Sequence, residues 1–291
     1  METIKNPIEY TGQQVANATG WLASVARAIR GVAGETAKPA TRRITLGDLS
    51  EALAEGWEDI GRFRSDVVAL CLIYPVIGVV ISVLAYDTAH LPLIFPIAAG
   101  FALLGPFFAV SVYELSKRRE DGRPAGWADA LSVLASPSFG AIFLLGLALI
   151  ALYVAWLVFA QILYDLTLGP GHPVSIADFF DNALGTTAGW VMIIGGTGVG
   201  FLFALAALAV AAFAFPILAD RDVGLRVAVE TSIDVLRQNP GTMLAWGFLV
   251  ALFLVVGSLP AFVGLIFVMP LLGHATWHLY RRAIAWPGAR N

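Results

Sequence analysis

Two histidines four residues apart are the side chains of this sequence best placed to do chemistry. His274 and His278 lie in the stretch PLLGHATWHLYRR, 270–282, directly before a pair of arginines. Positions i and i+4 share one face of an α-helix, so both imidazole rings would point the same way. Two imidazoles at this spacing are able to chelate a metal ion, although such a site normally has three or four ligands. A second stretch of similar sequence puts Glu114 at the position that matches His278, which makes Glu114 the one candidate for a third ligand.

The same spacing also fits the end of a membrane helix, and we favour that interpretation. With a rise of about 1.5 Å per residue, His274 lies roughly 10 Å and His278 roughly 5 Å along the helix from Arg281. An arginine at headgroup level would set His278 at the membrane surface, where amphipathic rings are common. His274 would lie deeper and need a hydrogen-bond partner, such as a carbonyl freed by Pro270. A metal or haem site, and a proton or substrate contact, stay open as alternatives.

The elements that must position these rings are membrane helices. Of the 291 residues, 58% are hydrophobic and only 13% are charged, and the mean hydropathy is +0.77. Soluble domains carry about 25% charged residues, so this composition is that of a membrane protein. The formal net charge of −3 offers no attractive field for nucleic acid. Cys71 is the single cysteine, which excludes an internal disulfide and a cysteine-rich metal site.

Six apolar runs are long enough to cross a bilayer, whose hydrocarbon core needs about 20 residues per helix. These predicted spans are 67–86, 91–113, 138–164, 188–215, 241–258 and 260–279. All 18 lysines and arginines fall in segments on one side of the spans, whereas the charged residues of the opposite loops are aspartates. The positive-inside rule therefore predicts that the N- and C-termini are both cytoplasmic.

Two of the predicted hairpins share a sequence pattern. The matching stretches are FPIAAGFALLGPFFAVSVYELSKR, 95–118, and LPAFVGLIFVMPLLGHATWHLYRR, 259–282. At constant offset Pro106 matches Pro270, and each proline is expected to kink its helix near mid-bilayer by removing one backbone donor. Gly100 matches Gly264, and both are expected to allow close helix approach. The pattern predicts an internal repeat.

A short amphipathic stretch precedes each hairpin on the cytoplasmic side. The three stretches are 46–63, 125–137 and 225–241, and in the first the predicted apolar face is formed by Leu46, Leu49, Leu53, Trp57 and Ile60. We therefore predict an all-α polytopic membrane helix bundle, with six transmembrane helices in three hairpins, each preceded by a cytoplasmic interfacial helix. Residues 1–40 form a predicted amphipathic cytoplasmic arm, 41–284 the membrane domain and 285–291 a cytoplasmic tail.

Several stretches resemble a bacterial family of predicted integral membrane proteins, domain of unknown function 2189. They are RRITLGDLSEALAEGWED (42–59), LIYPVIG (72–78), FPIAAGFALLGPFFAVSVYELSKRRE (95–120), FPILADRDVGLRVAVETS (215–232), NPGTMLAWG (239–247) and MPLLGHATWHLYRR (269–282). The resemblance runs from about residue 40 to 284 and implies a six-span inner-membrane protein of a Gram-negative bacterium. It implies no established activity, although members are sometimes labelled as similar to cytochrome c oxidase subunit I.

The residues do not support catalysis of the oxidase kind. A haem–copper core needs more imidazole ligands than the four histidines of this chain, and His90 and His172 fall in predicted outer loops. No pairing of a nucleophile with a base stands out, so we expect no enzyme activity, no cofactor and no catalytic residue. The predicted spans carry no acidic or basic residue well inside the bilayer, which argues against an ion-coupled carrier.

The sequence favours a non-catalytic accessory, assembly or scaffolding subunit of a membrane complex, with a respiratory complex as one setting. Its expected partners are the lipid bilayer and other membrane-protein subunits, with no nucleic acid, in a bacterial inner membrane. The alternative is a permease or flippase-like carrier of an apolar or lipid-like substrate. A cavity between the first and third hairpins, lined by Gly100, Gly264, Pro106 and Pro270, is the feature that would favour the carrier.

Overall fold

The computed structural model describes residues 20–28 except 22, 38–62, 76, 93–123, 126, 129, 131–169, 175–260 and 262–287. This described part is almost entirely helical, as the sequence predicts. Its elements are β1 (Ala40–Thr41), α1 (Leu46–Arg62), α2 (Ile94–Phe108), α3 (Val110–Glu120), a 3-10 helix (Leu131–Ala135), α4 (Phe139–Thr167), α5 (Ile176–Gly185), α6 (Thr187–Ala211), α7 (Ala214–Asp220), α8 (Leu225–Gln238), α9 (Pro240–Ser258), α10 (Leu265–Ala283) and β2 (Ile284–Ala285).

Three helical segments are long and apolar enough to cross a membrane. They are Phe139–Thr167 (α4), Thr187–Asp220 (α6 with α7) and Pro240–Ser258 (α9), and each corresponds to a predicted span. The predicted span 67–86 and Cys71 lie outside the described residues, apart from residue 76. The predicted spans 91–113 and 260–279 fall on α2 with the start of α3, and on α10. The six-span hairpin arrangement and the internal repeat stay predictions.

The two matched prolines lie in helices of different shape. Pro106 is inside α2, which ends two residues later, and Ala109 separates α2 from α3. The Ala109 N–H donates to the Gly105 carbonyl at 2.9 Å, and the Tyr113 N–H donates to the Ala109 carbonyl at 3.0 Å, so helical hydrogen bonds lead into and out of this junction. Pro270 is inside α10, which runs without interruption from Leu265 to Ala283. Pro260 lies in the turn that joins α9 to α10, as the sequence predicts.

Local signals in the sequence explain where several helices begin. At the start of α1, the Thr45 N–H donates to Asp48 Oδ2 at 2.7 Å and the Asp48 N–H donates to Thr45 Oγ1 at 3.3 Å, which is a reciprocal capping box. Ser175 caps α5 by accepting from the Asp178 N–H at 3.1 Å, as its sequence pattern suggests. Pro240 occupies the first turn of α9, where its missing N–H leaves no helical bond unmade.

The N-terminal and C-terminal segments of the described chain meet at one end of the bundle. Strands β1 and β2 pair antiparallel, with Ala40 opposite Ala285. The side chain of Asn239, just before α9, accepts from the Ile44 N–H at 2.9 Å and donates to the Arg42 carbonyl at 3.0 Å. We call this end the basic end, because the last turns of α3 and α10 supply Lys117, Arg118, Arg119, Arg281 and Arg282 there.

Residues 20–28, the described piece of the predicted N-terminal arm, lie against the start of α4. The ring of Trp21 meets Phe143 edge-on with a centroid distance of 5.5 Å. Gly140 allows this contact, since a Cβ there would lie 2.3 Å from the Ser24 carbonyl carbon. The part of the arm that the structure describes therefore packs on a helix of the bundle.

Helix α1 packs along α10 in the antiparallel direction through its smallest side chains. Leu49, Ala52, Gly56 and Ile60 are buried, whereas Leu46 and Trp57 are 65% and 61% exposed. Of the predicted apolar face of α1, Leu49 and Ile60 are therefore buried, whereas Leu46 and Trp57 lie outside the contact with α10. The physical reason is that helix backbones approach closely where side chains are small, and the contact centres on Gly56 rather than on the large residues.

The Gly56 contact gives a direct test of this packing. A Cβ at Gly56 would lie 2.8 Å from the Ala275 backbone nitrogen, which no side-chain rotation relieves. We expect Gly56→Ala to destabilise the protein by about 1–3 kcal/mol through overpacking. Thermal unfolding in detergent measures the effect.

Gly61→Ala is the matched control on the same helix, because a Cβ at Gly61 meets no atom within 4 Å. An alanine in an open helical position adds about 0.5–1 kcal/mol of stability. Equal unfolding temperatures for the two variants would contradict the close approach of α1 and α10.

Candidate functional site

The two histidines singled out by the sequence lie where α1, α3 and α10 meet. Both lie on the face of α10 that meets α1 and α3. His274 is completely buried, and Asp59 of α1 is buried beside it. Ser116 of α3, also buried, completes a polar cluster in otherwise apolar surroundings. Three helices therefore contribute hydrogen-bonding side chains to one buried point.

One carboxylate oxygen organises this cluster. Asp59 Oδ2 accepts from the Ser116 hydroxyl at 3.0 Å and lies 2.9 Å from His278 Nε2. Ser116 Oγ is in turn 2.6 Å from His274 Nδ1, which itself lies 3.4 Å from Asp59 Oδ2. The other ring nitrogen of His278, Nδ1, is 3.1 Å from Glu55 Oε2. The contacts form a chain from Glu55 through His278, Asp59 and Ser116 to His274.

Two arginines balance the carboxylates of this chain. Arg119 of α3 forms an ion pair with Asp59 Oδ1. Arg282 binds Glu55 with two nitrogens, NH1 and NH2, each 2.9 Å from a carboxylate oxygen. The hydrogen bonds from Arg282 hold the pKa of Glu55 below its ordinary value of 4.5, and burial opposes this effect. The Glu55 carboxylate is therefore held by Arg282.

Glu114 is not part of the cluster. Its carboxylate accepts from Arg118 Nε at 2.8 Å, one turn along α3. Among the residues that the structure describes, no group of three or more histidine, cysteine, aspartate or glutamate side chains is placed to hold a metal ion. The guanidinium of Arg119 also occupies the side of Asp59 that a cation would need. His90 and His172 lie outside the described residues.

Sequence reasoning missed Asp59 and Ser116, although a signal for Asp59 was present. Asp59 follows Gly56 by three positions and precedes Ile60, so it falls on the buried face of α1. A charged residue in the buried register of an amphipathic helix normally has a partner on another element. No local pattern marks Ser116, whose partners are 57 and 158 positions away in the chain.

A second polar group ties α7 to the ends of α3 and α10. The Tyr280 hydroxyl donates to Asp220 Oδ2 at 2.6 Å and accepts from Trp286 Nε1 at 2.8 Å. Lys117 Nζ donates to the Asp220 carbonyl at 2.7 Å, and Arg281 NH1 lies 3.3 Å from the Asp220 carboxylate. Every one of these donors has an acceptor, so this group fastens helix ends together.

An apolar cavity of about 410 Å³ lies on the other side of α10. Its walls come from α2, α3, α6, α9 and α10, with Pro106, Leu208, Trp246, Met269 and Gly273 among the lining residues. Tyr113 and Thr276 supply hydroxyl groups at the wall, and both side chains are buried. The volume lies within the range of about 300–1,000 Å³ found for small-molecule sites.

The rim of the cavity lies between two helices that are apolar enough to cross a membrane. Phe201 of α6 and Leu244 and Phe248 of α9 line the cavity and are also exposed at the outer surface. The two helices come together near Leu208, which lies 3.2 Å from the position of a Cβ on Gly247. The cavity is therefore bordered by side chains that face the surroundings of the bundle.

Of the four predicted kink and packing residues, only Pro106 lines this cavity. Pro270 is buried within α10. Gly100 faces α4, where a Cβ would lie 2.7 Å from Tyr153 Cζ, and Gly264 faces α9, where a Cβ would lie 2.7 Å from the Gly257 carbonyl oxygen. The two glycines thus lie at close helix contacts, and the cavity has a different lining from the one predicted.

The buried ion pair of Asp59 with Arg119 should contribute more to stability than the exposed pair of Glu58 with the same arginine. Removing one partner of a buried ion pair lowers the free energy of unfolding by about 3–5 kcal/mol. We expect Asp59→Ala to lie at the lower end, about 3 kcal/mol, because the Arg119 side chain is 24% exposed. Thermal unfolding of the purified protein measures this loss.

Glu58→Ala is the control, because Glu58 lies 3.9 Å from the same arginine but its side chain is 66% exposed. An exposed pair of this kind contributes about 0–1 kcal/mol. A loss for Asp59→Ala no larger than that for Glu58→Ala would show that the cluster does not stabilise the helix junction.

Comparison with known proteins bears on the middle of the chain. The family described as "Predicted integral membrane protein (DUF2189)" matches residues 94–220, from the start of α2 to the end of α7. No curated protein and no solved structure matches the chain. The resemblance read from the sequence is confirmed over that range, whereas the resembling stretches 42–59 and 269–282 lie outside it. Over residues 94–220, a little under half of the chain, the sequence therefore matches the predicted integral membrane protein family, domain of unknown function 2189.

Proposed function

We propose that this integral membrane protein binds an apolar or lipid-like molecule in the cavity between α2, α6, α9 and α10. Such binding is the property required of a permease or flippase-like carrier. The single observation that carries the proposal is the cavity itself, with a volume of about 410 Å³ and an almost wholly apolar lining. A lining of this kind gives a water-soluble, charged ligand no compensation for the loss of its hydration.

The rim supports entry from the bilayer rather than from water. Phe201 and Phe248 stand on apolar helices and face outwards, so in a membrane they would contact acyl chains. An apolar molecule could then pass between α6 and α9 without crossing a polar surface. The buried hydroxyls of Tyr113 and Thr276 would orient a single polar group of the ligand.

We also propose that the protein is not an enzyme. Among the residues that the structure describes, those lining the cavity include no aspartate, glutamate, histidine, lysine, arginine or cysteine, and Tyr113 is the one titratable side chain at the wall. General acid–base or nucleophilic catalysis needs such groups within hydrogen-bond reach of the substrate.

The cavity can be tested by filling it. A Cβ at Gly105, which lines the cavity, meets no atom within 4 Å, so Gly105→Phe would place a ring in the open space. The probe is a diazirine-bearing palmitate in nanodiscs of phosphatidylethanolamine and phosphatidylglycerol. Irradiation should label the buried lining residues Tyr113 and Met269, and Gly105→Phe should lower that labelling about tenfold, equivalent to about 1.4 kcal/mol of binding.

Gly198→Phe is the matched control, because Gly198 on α6 is exposed, lies outside the cavity and also has no neighbour within 4 Å of a Cβ. In this variant Tyr113 and Met269 should be labelled to the same extent as in the unsubstituted protein. Labelling restricted to exposed residues such as Phe248, with Tyr113 and Met269 unlabelled, would overturn the proposal.

An accessory, assembly or scaffolding role is the second candidate, supported by α4. This helix presents a straight stripe of exposed aliphatic side chains at intervals of three or four residues, which are Leu147, Ile150, Val154, Val158 and Ile162. Such a face is suited to contact with another membrane helix. This role would be favoured over the carrier if a stoichiometric membrane partner stays bound in mild detergent and is lost when Val154 and Val158 are replaced with tryptophan.

We propose further that the protein lies in a bacterial inner membrane with its basic end towards the cytoplasm. The support is the concentration of lysine and arginine at the ends of α3 and α10. A C-terminal fusion to green fluorescent protein should therefore fluoresce, and a C-terminal alkaline phosphatase fusion should be inactive. The reverse pattern would show that the orientation is inverted.

A further inference from the structure

The cluster at the junction of α1, α3 and α10 has no part in the proposed cavity function, and its geometry implies a different ligand. We propose that Glu55, His278, Asp59, Ser116 and His274 form a buried proton-binding chain that exchanges with the solvent at the basic end. We call these five side chains the proton chain. The proposal stands on their contacts alone and does not depend on what the cavity binds.

Both ring nitrogens of His278 lie within ion-pair distance of a carboxylate, which is the surrounding of a doubly protonated ring. Its Nδ1 lies 3.1 Å from Glu55 Oε2 and its Nε2 lies 2.9 Å from Asp59 Oδ2. A neutral imidazole has one N–H and one lone pair, and an ionised carboxylate only accepts. The ring nitrogen without a proton would then lie close to a carboxylate oxygen, which is repulsive. Both contacts are attractive only when the ring carries two protons or one of the carboxyl groups is protonated.

Burial of His278 and the nearby Arg119 and Arg282 oppose that extra proton, whereas the carboxylate of Glu55 favours it. Helix α1 carries five carboxylates that contact His278 or the arginines beside it, which are Asp48, Glu51, Glu55, Glu58 and Asp59. The arginines paired with these carboxylates are Arg119 of α3 and Arg282 of α10. Five carboxylates against two guanidinium groups leave three negative charges in excess. Glu120 of α3 and Arg281 of α10 pair with each other and add no net charge.

The proton chain has an entrance and an interior end. The Glu55 side chain is 43% exposed and that of His278 is 21% exposed, whereas Asp59 and His274 are completely buried. Solvent protons therefore reach Glu55 and His278 directly. Asp59 and His274 receive them through the chain, since they have no exposed surface.

Ser116 is able to carry the proton inwards, because a hydroxyl donates one hydrogen and accepts on its lone pairs. In the structure the Ser116 hydroxyl donates to Asp59 Oδ2, 3.0 Å away, so the inward step needs this hydroxyl to turn towards His274. A proton then moves from His278 Nε2 to Asp59 Oδ2 and on to Ser116 Oγ. The hydroxyl releases its own proton to His274 Nδ1, 2.6 Å from the oxygen. One N–H bond breaks at His278 and one forms at His274, so the step conserves protons and charge.

Nitrogen-15 NMR of histidine-labelled protein in nanodiscs tests the first part of this proposal. The chain has only four histidines, so His274→Gln and His278→Gln variants assign the two signals. We expect either the spectrum of a doubly protonated ring at His278, or a protonated-carboxyl band in the infrared spectrum that Glu55→Gln or Asp59→Asn removes. A neutral His278 ring beside two ionised carboxylates at neutral pH would overturn the proposal.

Glu51→Gln is the control, because Glu51 binds Arg282 at 3.3 Å and has no contact with His278. This variant should leave the His278 spectrum unchanged. If Asp59→Asn does not fold, Glu55→Gln at the half-exposed end gives the same information. A His278 spectrum that responds equally to Glu51→Gln and Glu55→Gln would overturn the assignment of the site to the proton chain.

Ser116→Ala tests the inward step separately. Exchange of the His274 ring proton with solvent should slow by roughly tenfold or more, because the hydrogen-bonded path is interrupted. Ser116→Thr, which keeps the hydroxyl, should restore the rate. Unchanged exchange in Ser116→Ala would show that protons reach His274 by another path and that the chain ends at Asp59.

Discussion

A carboxylate that has been taken out of water must find its partners inside the protein, and Asp59 imposes this requirement on three helices. An isolated buried charge is so unfavourable that it persists only when it is paired and hydrogen-bonded. Ser116 and Arg119 of α3 and His278 of α10 meet that need. Because each partner sits on a different turn or element, sliding any of these helices along its axis would break a contact. Asp59 therefore fixes the register of α1 against α3 and α10.

The close approach of Gly56 to Ala275 makes this arrangement possible. Only a residue without a side chain lets the α1 backbone come so near to α10, and Asp59 follows one turn later. The short aspartate side chain then reaches across to His278 without leaving its helix. Packing of small residues and pairing of buried charges thus act on the same interface, and each depends on the other.

Helix α10 separates two sites of opposite character. On one side it carries His274 and His278 towards α1, and on the other it lines the apolar cavity with Met269, Gly273 and Thr276. Helix α3 has the same division, with Ser116 in the polar cluster and Tyr113 at the cavity wall. The proton chain and the cavity are therefore adjacent but have no side chain in common. Both sites therefore depend on the position of α10.

The junction of α2 and α3 and the continuous helix α10 both contribute to the cavity wall. Pro106 lacks a backbone donor and lies three residues before Ala109, the residue between α2 and α3. Helix α10 continues past Pro270 to Ala283, and its Met269 and Gly273 line the cavity. Side chains of α6 and α9 complete the wall.

The sequence by itself determined the features that depend on local composition and spacing. Apolar runs of bilayer length predict α4, α6 and α9 as membrane helices. The four-residue spacing of His274 and His278 puts them on one helix face. The resemblance to the family over 94–220 is also visible in the residues. Only the tertiary structure decided what those histidines meet. Asp59 lies 219 positions from His278 in the chain, and the cavity is enclosed by five separate helices, so no periodic pattern could reveal either. Local patterns report how a helix forms, whereas contacts between distant helices are set by how their surfaces fit.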